Sequence, residues 1–520
     1  MKFLSLLQTF FVTTRRISLG LAVLKFTRAL LSVYSVILSA EYFGASIERD
    51  TWVLAGSAVS ILTQLAFGPI NEVFRAKFIH IRGEEGEERA LAAANSLIYM
   101  IIGVSLLIIG LVEMYPGLLS DLFAPGFRGA QSEALKLMIR WIIPALLLNQ
   151  ITLIWIAMLN AYRSYFIPDI YSLISGVINV LCILVLAKYV GIYSLIVANY
   201  LEMGILALIL LIALQKAGKQ VLVWSHPRWQ LVRPFVVTSF PFYLSYLAGN
   251  AQMAIERILS TYLGVGNVSV LDYARKFIDM PTGVIVGVIT TMLTPTLAEL
   301  FVQKKFSEFN RESIKFMRML ILGLAPFVVL CSVCSREMVE LLLVRGSFKR
   351  EFIGVTAQSL RFFSLGSVGY ILYAVGAQSL IAQKKAAFYA IVGTASTTVS
   401  IAMNLTLFKI TGLVIFPVSW GLTLFLSGIY MVFCANSNRR ETFREIVKML
   451  SLLTLIMALG YAVRIASLQL LAGAVSDLKR HAFLVVLATA FFGNLLYLCA
   501  AYLFNLEEIQ GVRHFLAGRR

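Results

Sequence analysis

Charge is what this sequence has least of: only 14% of its 520 residues are Asp, Glu, Lys or Arg, against about a quarter in soluble globular domains. That deficit excludes an ordinary water-soluble fold. With 59% hydrophobic residues and a mean hydropathy of +0.83, the chain reads as an integral membrane protein. Histidine and cysteine are scarce too, at 4 and 5 residues. The histidines are scattered, and Cys182, Cys331, Cys334, Cys434 and Cys499 mostly fall inside apolar runs. Cys331 and Cys334 form a CxxC at a helix end, without a second pair or a nearby His, so no metal or redox centre is expected. A P-loop is missing, which excludes ATP as a direct driver. Also missing are a DDxxD-like carboxylate cluster within the membrane and a substantial aqueous domain, which a metal-dependent transferase acting on a polyprenyl phosphate would need. Neither a cofactor nor an enzymatic activity is therefore expected. The first apolar run is too long for a signal peptide and lacks a small-residue cleavage site, so it reads as a spanning helix.

What the chain has in abundance is long apolar runs. About fourteen are long enough to cross a hydrocarbon core of about 30 Å as helix. They lie near residues 17–43, 51–74, 92–114, 134–160, 165–187, 190–215, 234–263, 268–300, 314–335, 354–382, 386–408, 412–434, 447–471 and 482–504. The runs are continuous and do not alternate, which implies helices rather than a barrel.

The net charge of +18 does not point to nucleic acid, because its distribution is that of a membrane protein. Lys and Arg concentrate in the even-numbered loops and at both ends, for example Arg15, Arg16, Arg75, Lys77, Lys216, Lys219, Lys304, Lys305, Lys384, Lys385, Arg439, Arg440, Arg519 and Arg520. The positive-inside rule then places both termini in the cytoplasm. Residues 336–351, with Arg336, Arg345, Lys349 and Arg350 on the expected outer side, read as a solvated loop or as an attractor for an anion.

Ionisable groups inside the runs mark the candidate site, since each costs roughly 2.5 to 3.5 kcal/mol at the bilayer centre. The eighth run opens on Asp272, Arg275, Lys276 and Asp279 and continues unbroken into an apolar body. Such a head is either a solvated helix end or the lining of a water-filled cavity. Lys25 and Arg28 sit deep in the first run, and Glu256 and Arg257 inside the seventh. Glu256 and Arg257 are adjacent and point about 100° apart on a helix, so they are not a presumed pair. Together these groups would make a net cationic cavity suited to an anionic substrate. Asp50 opens the second run, where a carboxylate suits the helix dipole. Glu202 is the one carboxylate of the sixth run, either hydrogen-bonded and neutral or a proton site; Glu202 and Asp279 are the candidates for ion coupling.

The second half echoes the first at an offset of about 225 residues. Pro69 in FGPINEVF answers Pro295 in TPTLAELF, LFAPGF near 122–127 answers LLLVRGSF at 341–348, and Asn179 answers Asn404. Six helices per copy give both copies the same orientation, hence two lobes about an axis along the membrane normal, with a substrate route between them. The expected organisation is an N-terminal lobe over 1–215, a cytoplasmic linker over 216–233, a C-terminal lobe over 234–434, and an extra helix pair with a tail over 435–520.

The stretches FGASIERDTW and LFAPGF, the R-x-x-F-x-x-P of Arg163 to Pro168, and above all NVSVLDYARKFIDMPTGVIVGVITTMLTPTLAELF resemble the MurJ/MviN family, within the superfamily of the multidrug MATE exporters and polysaccharide flippases. The resemblance covers roughly residues 15–505. It implies an all-α polytopic membrane protein of two six-helix lobes plus a helix pair, in the bacterial cytoplasmic membrane. It also implies a flippase that moves lipid II, an undecaprenyl-pyrophosphate-linked disaccharide peptide, by alternating access. The implied partners are this lipid-linked anion, the membrane and cell-wall synthesis proteins. Asp50 stands where the family has an Asp, and Lys276 where it has an arginine. Arg275 precedes it, and Lys25 and Arg28 are offset counterparts of the family's first-helix arginines. The family's basic pair in the second helix is replaced by Leu62, Thr63, Gln64 and Leu65, and the acidic residue after it by Gly68. These departures leave open another polyprenyl-linked glycan, or a cation-coupled multidrug exporter of the same fold.

Overall fold

The computed structural model describes residues 14–162, 166–219, 228–471 and 478–503, and every regular element among them is helical. Each expected apolar run is occupied by a helix or a broken pair of helices. In lipid a chain has to satisfy its backbone groups internally, and continuous runs do so as helix. By length and composition, eight helices among the described residues can cross a membrane, or nine with a bent pair counted as one span. One of these stretches, Ala386–Ala435, holds two successive helices. The protein is a multi-pass membrane protein.

The chain forms two compact units, Met1–Ser269 and Val270–Arg520. The first contains α1 (Thr14–Phe43), α2 (Ile47–Glu85), α3 (Glu87–Met114), α4 (Pro116–Phe123), α5 (Ala130–Ile142), α6 (Ala145–Ala161), α7 (Phe166–Val190), α8 (Tyr193–Lys216), α9 (Trp229–Ser239) and α10 (Tyr243–Thr261). At 39 residues, α2 is about 58 Å long at 1.5 Å per residue, far more than a bilayer core needs. Its last turns therefore leave the apolar layer, and they carry the charged RGEE. Ser46 opens α2 by accepting the Arg49 N–H at 3.2 Å. The core of this unit is built on the buried face of α2, where Phe74 stacks on Phe78 and on Phe235 with ring centroids 5.6 and 5.3 Å apart. The span bends at Pro144, where α5 and α6 meet at 41°.

The second unit takes most of α11 (Asn267–Val288), a π-helical turn (Ile289–Leu293), α12 (Thr294–Val302), α13 (Phe306–Val333), α14 (Ser335–Leu342), α15 (Ile353–Ala382), α16 (Ala386–Thr411), α17 (Ile415–Ala435), α18 (Arg439–Leu471) and α19 (Leu478–Leu503). The seam between α15 and α17 is closed by small residues: a Cβ on Gly366 would lie 2.8 Å from the Gly421 Cα, and one on Gly428 2.4 Å from the Tyr373 nitrogen. Backbones this close are the small-residue contact that lets membrane helices associate by van der Waals packing. The last two helices pack on this unit. Arg464 of α18 gives two hydrogen bonds to Glu337 of α14, at 2.9 and 2.6 Å; Arg318 of α13 pairs with Glu445 at 3.4 Å; and Tyr497 of α19 donates to the Leu322 carbonyl at 2.9 Å.

Two details differ from the sequence reading. The first part of the 336–351 segment is the helix α14 rather than a solvated loop, because Glu337 and Glu340 are buried and take Arg464 and Arg336. Its counterpart in the first unit, α4, has the same eight-residue length. The eighth run is not one helix. Pro295 has no N–H to give its preceding turn, and the backbone widens into the π turn immediately before it. Thr294 covers the Ile289 carbonyl through its hydroxyl at 3.1 Å and reaches Gln378 at 3.1 Å. The corresponding Pro69 lies within an uninterrupted α2.

Candidate functional site

The charged stretch that opens α11 is positioned from its first turn. Asp50, fully buried, spends both carboxylate oxygens there. Oδ2 accepts the Gly266 N–H at 2.6 Å, and Oδ1 accepts the Ser269 N–H at 2.7 Å and its hydroxyl at 2.5 Å. These are donors that a helix N-terminus leaves without intrahelical partners, and a carboxylate also suits the positive end of the dipole. The sequence places Asp50 at the start of its own helix; the structure spends it on a helix more than two hundred positions away. Arg257, also buried, reaches the Val268 carbonyl at 3.5 Å. Asp50 and Arg257 thus converge on one turn, with buried Arg49 beside Asp50 and buried Glu256 beside Arg257.

Along α11 the stretch from Tyr273 to Asp279 separates into packing and display. Tyr273, Ala274 and Phe277 are buried, with the Tyr273 ring edge-on to Phe348 at 6.1 Å. Arg275 is half-buried and lies over the Phe363 ring at 4.9 Å, a cation–π contact worth about 0.5–2 kcal/mol. Phe363 in turn meets Trp420 at 5.8 Å, and Trp420 stacks on Tyr370. Lys276 and Asp279 are exposed. Adjacent cations therefore have different situations, one held on an aromatic row and one displayed.

In the first unit Arg28 of α1 is exposed. Lys25 lies in the part of α1 whose side chains are outside the described residues, and Arg163 and linker residues 220–227 are themselves outside the described residues. Glu202 of α8 is half-buried and accepts the Ser175 hydroxyl at 2.7 Å through Oε2. Asn179, one turn along α7, hydrogen-bonds to the same carboxylate and accepts the Ser35 hydroxyl of α1 at 2.5 Å.

The sequence reading did not single out the tyrosines of α10. Tyr243 donates to the Ala66 carbonyl and Tyr246 to Glu72, both at 3.1 Å. The Tyr246 ring fills the space beside Gly68, where a Cβ would sit 2.4 Å from Cε1. The missing side chain at Gly68 is thus compensated by an aromatic ring from α10. The LFAPGF loop is held on the same helix, with the Gly126 N–H donating to the Thr261 hydroxyl at 3.2 Å.

Residues 39–484 match the family model described as "Lipid II flippase MurJ". Among curated proteins, the probable lipid II flippase MurJ of Borreliella burgdorferi is 21% identical over 333 residues, 64% of this chain and 65% of that protein. The lipid II flippase MurJ of Burkholderia cenocepacia is 23% identical over 363 residues, 67% and 69% of the two chains. The probable lipid II flippase MurJ of Helicobacter pylori is 25% identical over 429 residues, 76% and 88%. Against the Borreliella protein, then, the chain spans just under two thirds of its relative's length. The fold is that of a solved lipid II flippase MurJ in an inward closed conformation, with TM-score 0.77 and 17% identity over 94% of this chain and 98% of that one. It is also that of an inward-facing MATE-family multidrug transporter, with TM-score 0.65 and 14% identity over 80% and 95%.

Proposed function

The chain belongs to the MurJ family, whose model it matches over residues 39–484, and on that premise we propose that it carries lipid II across the bacterial cytoplasmic membrane for peptidoglycan synthesis, as a transporter and not an enzyme. The observation that carries the reading is the extent of that family match. The excess of Lys and Arg in alternate loops supports a topology with both termini cytoplasmic, and the sequence repeat, read as two six-helix lobes with 216–233 as the linker proposed between them, makes alternating access the proposed mechanism. Proteins of cell-wall synthesis are the proposed neighbours.

The basic groups proposed to meet the pyrophosphate are Lys25 and Arg28 of α1 and Arg275 and Lys276 of α11. Asp50 and Arg257 contribute by fixing the first turn of the helix that carries the last two, and buried Glu256 is proposed to belong to the same site. Lysine in place of the family's arginine at 276 keeps the charge but gives up the planar fork that grips phosphate with two parallel bonds. A −2 headgroup moved outward would draw on the membrane potential at about 2.3 kcal/mol per charge per 100 mV. The test is complementation: the full chain is expressed in cells depleted of their own lipid II flippase. Restored growth is expected. Failure of a correctly inserted protein would reassign it to another polyprenyl-linked glycan, and normal flipping by both Arg28→Ala and Lys276→Ala would remove the proposed role of those cations.

A further inference from the structure

We infer that Trp420 and Tyr370, flanked by Arg275 and Asp279, form a stacking platform in the second unit for a pyranose ring of a lipid-linked glycan. The inference rests on the reading above that the cargo is such a lipid. Phe363, Gly366 and Tyr370 stand at i, i+3 and i+7 of α15, on one face of the helix. Gly366 leaves a notch in that face, and the Trp420 indole of α17 occupies it: a Cβ at 366 would lie 2.9 Å from two of the ring atoms. The indole is braced on both sides, edge-on to Phe363 at 5.8 Å and 66°, and nearly parallel to Tyr370 at 6.4 Å and 19°. Its plane is therefore fixed. Arg275 and Asp279 run alongside, one turn apart on α11. The Arg275 guanidinium lies over the Phe363 ring at 4.9 Å, and the Asp279 carboxylate acts electrostatically on the Tyr370 phenol. The charged pair and the aromatic row thus keep step along two neighbouring helices.

Two observations separate this row from packing alone. Phe363 is 1% exposed, whereas Trp420 and Tyr370 are only half-buried and keep an open part. That opening is not toward lipid. The exposed apolar residues of this part of α17 are Leu422, Leu426 and Tyr430, a stripe that begins about 200° round the helix from Trp420. Asp279, by contrast, is exposed within an apolar run, and a carboxylate so placed faces a water-filled cavity. A hexopyranose with equatorial substituents matches this wall: its C–H bonds point out of the ring faces and its hydroxyls lie round the rim. The C–H face packs on an aromatic plane, drawn to the negative π face, while a carboxylate and a guanidinium take rim hydroxyls through charge-assisted hydrogen bonds. An aromatic wall with a few placed polar groups is the usual make-up of a small-molecule site. The pyrophosphate needs cations and has no use for an indole, so the platform adds a contact that reads the sugar.

The test measures binding of three lipids to the purified full-length protein in nanodiscs: undecaprenyl pyrophosphate, the same lipid carrying one N-acetylglucosamine, and lipid II. The readout is the ratio of each glycosylated lipid's affinity to that of bare undecaprenyl pyrophosphate. A ratio well above one is expected for the wild type. Trp420→Ala is expected to lower it about tenfold, and Trp420→Phe, which keeps a ring in the notch, to retain most of it. Asp279→Asn, a change at an exposed side chain that leaves the indole in place, is expected to lower the ratio severalfold, and it decides the matter if Trp420→Ala does not fold. A Trp420 that only packs would weaken all three lipids together and leave the ratio unchanged. That result, or a wild-type ratio near one for both glycosylated lipids, would overturn the platform. A Trp420-dependent ratio for the N-acetylglucosamine lipid with none for lipid II would keep the platform and overturn lipid II as the cargo, so the two readings fail separately.

Discussion

A methyl group added at Gly68 would meet the Tyr246 ring at 2.4 Å, with backbone on one side and a hydrogen-bonded phenol on the other. Gly68→Ala is therefore expected to destabilise the first unit by about 1–3 kcal/mol, the usual cost of overpacking, and Tyr246→Leu should recover part of it in the same detergent unfolding assay. Asp50→Ala strips three hydrogen bonds from the start of α11 and is expected to cost about 1–3 kcal/mol; Asp50→Asn, which keeps one acceptor but sets an amide against an N–H, should fall between. Neither contact was legible in the sequence. Spacing along a helix can pair Asp50 only with its own first turn, whereas its partners lie 216 and 219 positions away. Lys276 and Arg275 were legible as cations but not in their difference, because which of two adjacent residues meets Phe363 depends on the rotation of α11 against α15. Lys276→Ala is expected to reduce flipping in proteoliposomes more than Arg275→Ala does, and Arg275→Ala to cost more stability.

At the level of elements, the break in the eighth run and the helix α14 are the informative departures. An apolar stretch with one proline reads the same whether its helix is continuous or widened. Pro69 and Pro295 show both outcomes, since only Pro295 is preceded by a π turn, with Thr294 and Gln378 beside it. α14 was hidden because its buried glutamates look solvated until Arg464, 127 positions away, is placed against one of them. Removing Arg464 leaves Glu337 buried without its partner, so Arg464→Met is expected to destabilise by about 3–5 kcal/mol. The double variant with Glu337→Gln should regain much of this, as read from the unfolding midpoint of the full chain.

For the whole molecule the sequence was most legible where the physics is least local. Runs of about 20 apolar residues have few fates in lipid, so the apolar runs could be read from composition. Asn179 and Asn404 stood out by their spacing, but their partners did not, because Ser35 and Ser419 lie on other helices.

The glycine-lined crossing of α15 and α17 has a mechanical consequence. Contact of backbone on backbone at Gly366 and Gly421, with the Trp420 ring beside it, leaves little side chain to change rotamer between those two helices, and so a stiff coordinate for sliding or rolling; close-packed interiors are of low compressibility. Strain applied to the second unit has to be taken up elsewhere, and the wide turn at Ile289–Leu293 is the place where a backbone ladder is already loosened. Amide exchange is accordingly expected to be slowest along the α15–α17 crossing and markedly faster at that turn, which would make a stiff strut and a compliant joint neighbours within one unit.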